Sequence, residues 1–284
     1  MYDDDGTDEQ RFRGRKRRRA PRGRGRLASM RDASADDDPL ASLRERGLVE
    51  EVLGELKSGK EADVLLARGA EGLLALKVHR DPEAGGFRPD PAYLEGRRVP
   101  RGRLRKVLDR GARAGLPPEL ALWVLHETRM LWTLHQAGVP VPEPVLGPAV
   151  SEVLSAGRVV AMRFVGTEDG TPAPRLADAG LSGAALQDAW AQVGDAVVRM
   201  LRGGVVHGDL SAWNLLWHDG RVVVIDVPQA VETAWSPHAA TLFSRDVRSL
   251  TGSLRAMGLD LDADATERDL RTRAGLPPVG PFPF

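Results

Sequence analysis

The chain has no cysteine, which excludes a disulfide framework and any thiolate metal site. It also has no apolar run long enough to cross a bilayer as a helix. Six histidines are scattered without a pair at ligand spacing, so a zinc centre is not expected. The opening residues, Met1-Tyr2-Asp3-Asp4-Asp5, lack the basic and then apolar order of a secretory signal, and a cytoplasmic protein is the expectation. Net charge is absent as well, because 40 Lys and Arg balance 40 Asp and Glu.

The balance hides blocks. Arg11 to Arg26 also contains Arg13, Arg15, Lys16, Arg17, Arg18, Arg19, Arg22 and Arg24, flanked by Asp3-Asp4-Asp5 and Asp36-Asp37-Asp38. Such a stretch cannot bury enough apolar surface to form a core, so residues 1–45 are expected to be a disordered charged tail. An arginine cluster of this density either neutralises RNA phosphates, with salt-dependent affinity, or keeps the protein soluble.

From Leu48 short β-type runs follow, at Val49 to Leu56, Ala62 to Ala67 and Leu73 to Val78, separated by turns at Ser58-Gly59-Lys60 and Arg68-Gly69-Ala70. They predict an antiparallel meander. Alternation in the third run puts Leu74, Leu76 and Val78 on one face and Ala75 with Lys77 on the other. A lysine beside a small alanine suits a nucleotide site, the alanine leaving room for a base and the ammonium reaching phosphate oxygens. Pro118 to Gln136 then repeats Leu120, Trp123, Val124, Leu131 and Leu134 at helical spacing, and Gly138 supplies a stop. Glu127 falls inside this apolar stripe. A buried carboxylate needs a cation, and Lys77 is the candidate. Between the two lies a basic link with Gly85-Gly86, Arg97, Arg98, Arg101, Arg103, Arg105, Lys106, Arg110 and Arg113, either a second phosphate-facing surface or a solvated lid.

Val206-His207-Gly208-Asp209-Leu210-Ser211-Ala212-Trp213-Asn214-Leu215-Leu216, then Val222-Val223-Val224-Ile225-Asp226, is the stretch with the most chemistry. Asp219-Gly220 between apolar runs predicts a two-residue hairpin turn with His218 opposite Arg221. Counting outward puts Asn214 opposite Ile225. Asn214 and Asp226 then emerge together at the open end, where two oxygen ligands can hold a hard cation such as magnesium. Asp209, on the entering loop, can accept a hydroxyl proton or orient a nucleophile for phosphoryl transfer. The order H-G-D-x-x-x-x-N, hairpin, apolar run, Asp resembles the catalytic loop and metal aspartate of the protein-kinase superfamily, with Asp226-Val227-Pro228 in place of D-F-G.

Neither a G-x-G-x-x-G-x-V loop nor a Walker A loop is present; only Ser58-Gly59-Lys60-Glu61-Ala62 precedes Lys77. That turn is similar to the S-T-G-K-E-A phosphate loop of the RIO family of atypical protein kinases, nearest its RIO1 branch. Lys77 resembles that family's ATP lysine; Glu127 and Gly138-Val139-Pro140-Val141-Pro142 its helix and following loop; Met162 to Gly166 its hinge. Pro237-His238-Ala239 and Ser244-Arg245-Asp246 resemble the segment it carries instead of an activation loop. The resemblance covers about Leu48 to Arg255. Lys57, Gly208 and Arg163 depart from it, standing where the branch commonly has a small residue, an alanine and an acidic residue.

The resemblance implies an α+β, bilobal protein-kinase-like fold. Residues 46–166 form a small β-rich N-lobe with hinge, and residues 167–284 a mainly helical C-lobe lacking an activation segment and peptide-docking helices. A C-lobe helix is expected from Ser182 to Leu201, with Leu186, Trp190, Val193, Val197 and Leu201 inward. The resemblance also implies ATP as cofactor, contacted by Ser58, Gly59, Lys60, Glu61, Ala75, Lys77, Met162 and Phe164. Magnesium would sit on Asn214 and Asp226, with Asp209, Lys77 and Glu127 as the catalytic set. The expected activity is phosphorylation of a protein Ser or Thr, or ATPase cycling through a phosphorylated Asp226 in a ribosome-assembly role. Two other classes compete. Small-molecule phosphotransferases of the aminoglycoside or choline kinase type share H-G-D-x-x-x-x-N but lack S-G-K-E-A, and an RNA-binding assembly scaffold would use the arginine clusters without chemistry.

Overall fold

The computed structural model describes residues 38–80, 109, 111–112 and 115–282. The arginine-rich tail and the named cations of the basic link lie outside them.

A short helix α1 (Ala41–Glu45) opens the described chain, followed by strands β1 (Glu51–Ser58), β2 (Ala62–Gly69) and β3 (Gly72–His79). With β4 (Val159–Arg163) these make an antiparallel sheet in the order β1-β2-β3-β4. The meander forms where the sequence predicts it, and Leu74, Leu76 and Val78 are buried on one face as the period of two requires. Leu40 and Leu43 pack under that face with Leu65, Leu146, Val159 and Ala161. This corrects the expected extent of the tail: residues 38–45 are folded, because two leucines one helical turn apart give even a five-residue helix an apolar side to bury.

Helix α2 (Pro118–Gln136) has the predicted bounds. Proline at its first position has no N–H to leave unpaired, and Gly138, at φ 71°, ends the helix in the left-handed conformation that glycine adopts without strain. Its buried residues Leu120, Val124, Leu131 and Leu134 join the larger apolar cluster of the second lobe, together with Val160 of β4. The helix that carries Glu127 is thereby fastened to the half of the molecule that carries residues 207–214.

After α3 (Val150–Ser155) and β4, the second lobe contains α4 (Gly183–Arg202), β5 (Val205–Val206), β6 (Leu215–His218), β7 (Arg221–Val224) and β8 (Val231–Glu232), then α5 (Ala239–Ala256) and α6 (Ala263–Arg273). In α4, Leu186, Val193, Val197 and Leu201 are buried as expected, whereas Trp190 is half-buried at the edge of the same cluster. Only residues 227–238 separate Asp226 from α5, and no activation segment intervenes.

Candidate active site

The β6-β7 hairpin has the register that Asp219-Gly220 dictates. His218 pairs with Arg221, and the two turn residues have φ of 48° and 73°, the double left-handed turn that matches strand twist. Beyond the last strand pair, Ile225 N–H donates to the Asn214 carbonyl at 3.0 Å. Asn214 and Asp226 therefore leave the hairpin from the same end. Asp226 has φ 65°, a conformation that costs a non-glycine residue roughly 1–3 kcal/mol and persists only where the surroundings enforce it.

Strand β3 meets the hairpin through one ammonium. Lys77 Nζ lies 2.7 Å from Glu127 Oε1 and 2.8 Å from Asp226 Oδ1. Burial by itself would lower the lysine pKa and raise that of Glu127. The neighbouring opposite charges win on both sides: Glu127 and Asp226 hold Lys77 above its ordinary range, and Lys77, followed by His79, holds Glu127 below its own. His79 Nε2 approaches the second oxygen of Glu127 at 2.9 Å.

The loop of residues 207–214 is built from the backbone outward. Asp209 N–H donates to His207 Nδ1 at 3.3 Å, and Nε2 of this buried imidazole lies 3.1 Å from the Ile225 carbonyl, next to Asp226. Asn214 Nδ2 donates to the Asp209 carbonyl at 2.7 Å and to its carboxylate at 3.2 Å. With its nitrogen spent there, the amide's remaining polar atom is the oxygen a cation needs. Asp209 itself is exposed, and its carboxylate accepts no backbone N–H among the described residues.

Helix α5 supplies a clamp from Ser244-Arg245-Asp246, a segment the resemblance named without giving it this role. Asp246 accepts from Gly208 N–H at 2.7 Å and Leu210 N–H at 3.0 Å, Arg245 donates to the Gly208 carbonyl, and Ser253 accepts from Ala212 N–H at 3.1 Å. Asp246 is buried, and that burial raises its pKa against the lowering influence of His207 and the two backbone donors. The signal available was the one used for Glu127: an aspartate among Leu242, Phe243, Val247 and Leu250 must have a partner. Gly208 fits this clamp at φ 81°, where an added Cβ would meet the Gln229 carbonyl at 2.4 Å. The alanine common at this place in the resembled branch does not fit this backbone. Gly208→Ala is accordingly expected to lower stability by about 2 kcal/mol or more, seen as a melting temperature several degrees lower, with turnover falling because the loop moves.

The remaining predicted residues are divided. Ala75 and Met162 face one another across β3 and β4, and Phe164 N–H donates to the Leu73 carbonyl at 3.1 Å, so alanine and hinge come together. A Cβ on Gly166 would meet the Thr171 carbonyl at 2.3 Å and the Phe164 ring at 2.6 Å, so this end of the hinge has room only for glycine. Ser58 and Gly59 are less available than a phosphate loop suggests. Ser58 Oγ donates to Asp63 at 2.6 Å and accepts from Arg80 at 2.9 Å, while Gly59 N–H turns inward to the Ala62 carbonyl. Lys60 is exposed. Glu61 is half-buried, its pKa raised chiefly by that burial and also by Asp226 and Glu127, against the lowering pull of Lys77 and His79.

A model of the RIO domain matches residues 109–267, more than half of the chain. The RIO-type serine/threonine-protein kinase Rio1 of Haloferax volcanii is 34% identical over 235 residues, 81% of this chain and 73% of that protein. The chain belongs to the RIO family. The serine/threonine-protein kinase RIO1 of Homo sapiens is 32% identical over 210 residues, 73% of this chain but 34% of that protein, and the nematode and fungal RIO1 relatives are likewise covered over less than half their length. The Rio2 kinase of Chaetomium thermophilum has the same fold, with a TM-score of 0.52 and 22% identity over 88% of this chain and 65% of that one. These relatives favour neither competing class. In this RIO chain the pieces that the family resemblance named separately, Lys77, Glu127 and Asp226, are one contact group, and Asp209 and Asn214 are a second one joined to it through His207 and Ile225.

The oxygen-rich cleft suits magnesium. Glu61, Glu127 and Asp226 gather around Lys77, with His79 beside Glu127, and a divalent cation at the Asp226 oxygens would add positive charge to this carboxylate group. Among the described residues no cluster of three His, Asp or Glu side chains is placed to hold a metal.

Proposed function

We propose that this RIO kinase transfers the terminal phosphoryl group of ATP, as its magnesium complex, to a Ser or Thr hydroxyl of a protein. The observation that carries this reading is Lys77 Nζ held between Glu127 and Asp226 at 2.7 and 2.8 Å beside the Asp209–Asn214 pair. Ala75, Met162 and Phe164 line the place for the base, and Lys77 and Lys60 supply positive charge for the phosphates. Asn214 and Asp226 would hold magnesium, which neutralises charge on the phosphate oxygens when bound. Asp209, exposed and anchored through its own backbone, aligns the acceptor hydroxyl and takes its proton. A second outcome of the same site is transfer to Asp226 itself, whose half-exposed carboxylate is accessible; a phosphoaspartate is present in a structure of the fungal Rio2 kinase.

The test is Asp226→Asn with nucleotide binding titrated against magnesium. The parent should bind ATP more tightly as magnesium rises, and the variant should lose that dependence by more than tenfold while keeping most of its melting temperature. Equal magnesium dependence in the two proteins would sink the assignment. We also propose RNA as a partner of Arg11 to Arg26, on the density of arginine alone. Deleting residues 1–37 should flatten the salt dependence of RNA affinity and leave ATP turnover unchanged; an unchanged slope would leave the solubility role.

A further inference from the structure

We propose that His79 is a positioning residue for the nucleotide, acting through Glu127 on Lys77. The inference rests on the function proposed above and deepens it.

A carboxylate has two oxygens, and in a buried one both need partners. Glu127 gives Oε1 to Lys77 at 2.7 Å and Oε2 to His79 at 2.9 Å. Glu127 and His79 are each almost fully buried, and neither His79 Nε2 nor Glu127 Oε2 has another hydrogen-bond partner among the described residues. The contact is close without being aligned as a full hydrogen bond, so the imidazole acts as a near dipole or charge that fixes which way the carboxylate faces. His79 is itself fixed: its backbone N–H donates to the Arg158 carbonyl at 2.9 Å, and its ring packs edge-on against Trp123, one helical turn before Glu127.

Strand geometry gives this its purpose. Lys77 and His79 are two residues apart on β3, so both project from the same face, and Glu127 bridges them from α2. Lys77 now divides its ammonium between Glu127 and Asp226. Once Asp226 turns to a metal ion, Glu127 is the remaining protein anchor of Lys77. A carboxylate tethered at one oxygen only would rotate and let the ammonium wander. Held by His79 at the other oxygen, it keeps Oε1 on Lys77 and the ammonium directed at the phosphates. This contact strengthens binding of the ground state, so its loss belongs in KM for ATP more than in kcat.

The variants are His79→Leu, which keeps bulk and removes the polar group, and His79→Gln, whose amide nitrogen reaches about where Nε2 stands. KM for ATP, kcat, and the rate at which Lys77 is acylated in the nucleotide-free protein are measured for each. His79→Leu should raise KM about tenfold, change kcat by less than threefold and speed Lys77 acylation severalfold; His79→Gln should restore all three. In a Glu127→Gln background, His79→Leu should add nothing further, because the two residues act in series. Parent-like KM and acylation rate in His79→Leu, or failure of glutamine to do better than leucine, would overturn the inference. A parent protein that does not bind magnesium and ATP would instead overturn the proposed function, and the acylation rates would still decide whether His79 positions Lys77.

Discussion

Lys77→Ala is expected to abolish turnover and to destabilise the protein by about 3–5 kcal/mol, because it leaves the buried Glu127 carboxylate without its cation. Loss of activity alone would follow from any missing phosphate contact. The stability loss is specific to this geometry, in which both members of the pair are removed from water. Lys77→Met combined with Glu127→Leu should therefore recover most of the melting temperature while remaining inactive, since the uncompensated charge is gone and the phosphate contact is not restored. Denaturant titration of the three proteins checks this, and a single variant as stable as the parent would reject the buried pair. The pH dependence has a definite sign. Glu127 lies below its ordinary value in the folded state, so its contribution is present above about pH 4.3 and is lost as pH falls through the lower, folded pKa. Lys77 lies above its ordinary value, so its contribution is present below about pH 10.4 and is lost as pH rises through the higher, folded pKa. The double variant should lack both edges.

Asp209→Asn is expected to depress kcat by about 10²–10⁴-fold, with ATP affinity and melting temperature close to the parent. The alternative role, a carboxylate that caps the loop, predicts a different pattern. A capping aspartate accepts backbone N–H groups; here those of Gly208 and Leu210 go to Asp246, and that of Asp209 goes to His207. The Asp209 carboxylate meets only Asn214 among the described residues, at 3.2 Å, and stands otherwise exposed. Its replacement therefore removes a proton acceptor without unpicking the loop. Asp246→Asn should do the reverse, lowering stability and turnover together, since it replaces one of two acceptor oxygens with a donor facing an N–H. Turnover, ATP affinity and thermal melting of the two variants, measured side by side, separate a catalytic carboxylate from a structural one. Equal and parallel losses in both would remove Asp209 from the chemistry.

Much of this was legible in the chain because it is local. Asp219-Gly220 specifies a turn in which both residues take positive φ, and the strand period then carries the register outward until Asn214 and Asp226 share an end. Leu74, Leu76 and Val78 mark the inner face of β3, so the outer face had to hold Ala75 and Lys77. Pro118 and Gly138 bracket α2 by backbone preference alone, and Glu127 inside its apolar stripe demanded a cation. Other features depend on where distant surfaces meet, for which periodicity and propensity carry no information. Composition placed residues 38–45 in a solvated tail, but the underside of the sheet offered Leu40 and Leu43 a surface to cover. Ser58 looks available for phosphate until the fold delivers Arg80 and Asp63 to it. Asp246 is 38 positions from Gly208, and His79 is 48 from Glu127. Burial made these polar groups find partners, and only the packing of α2 on the sheet and of α5 beneath the loop decided which partners they found.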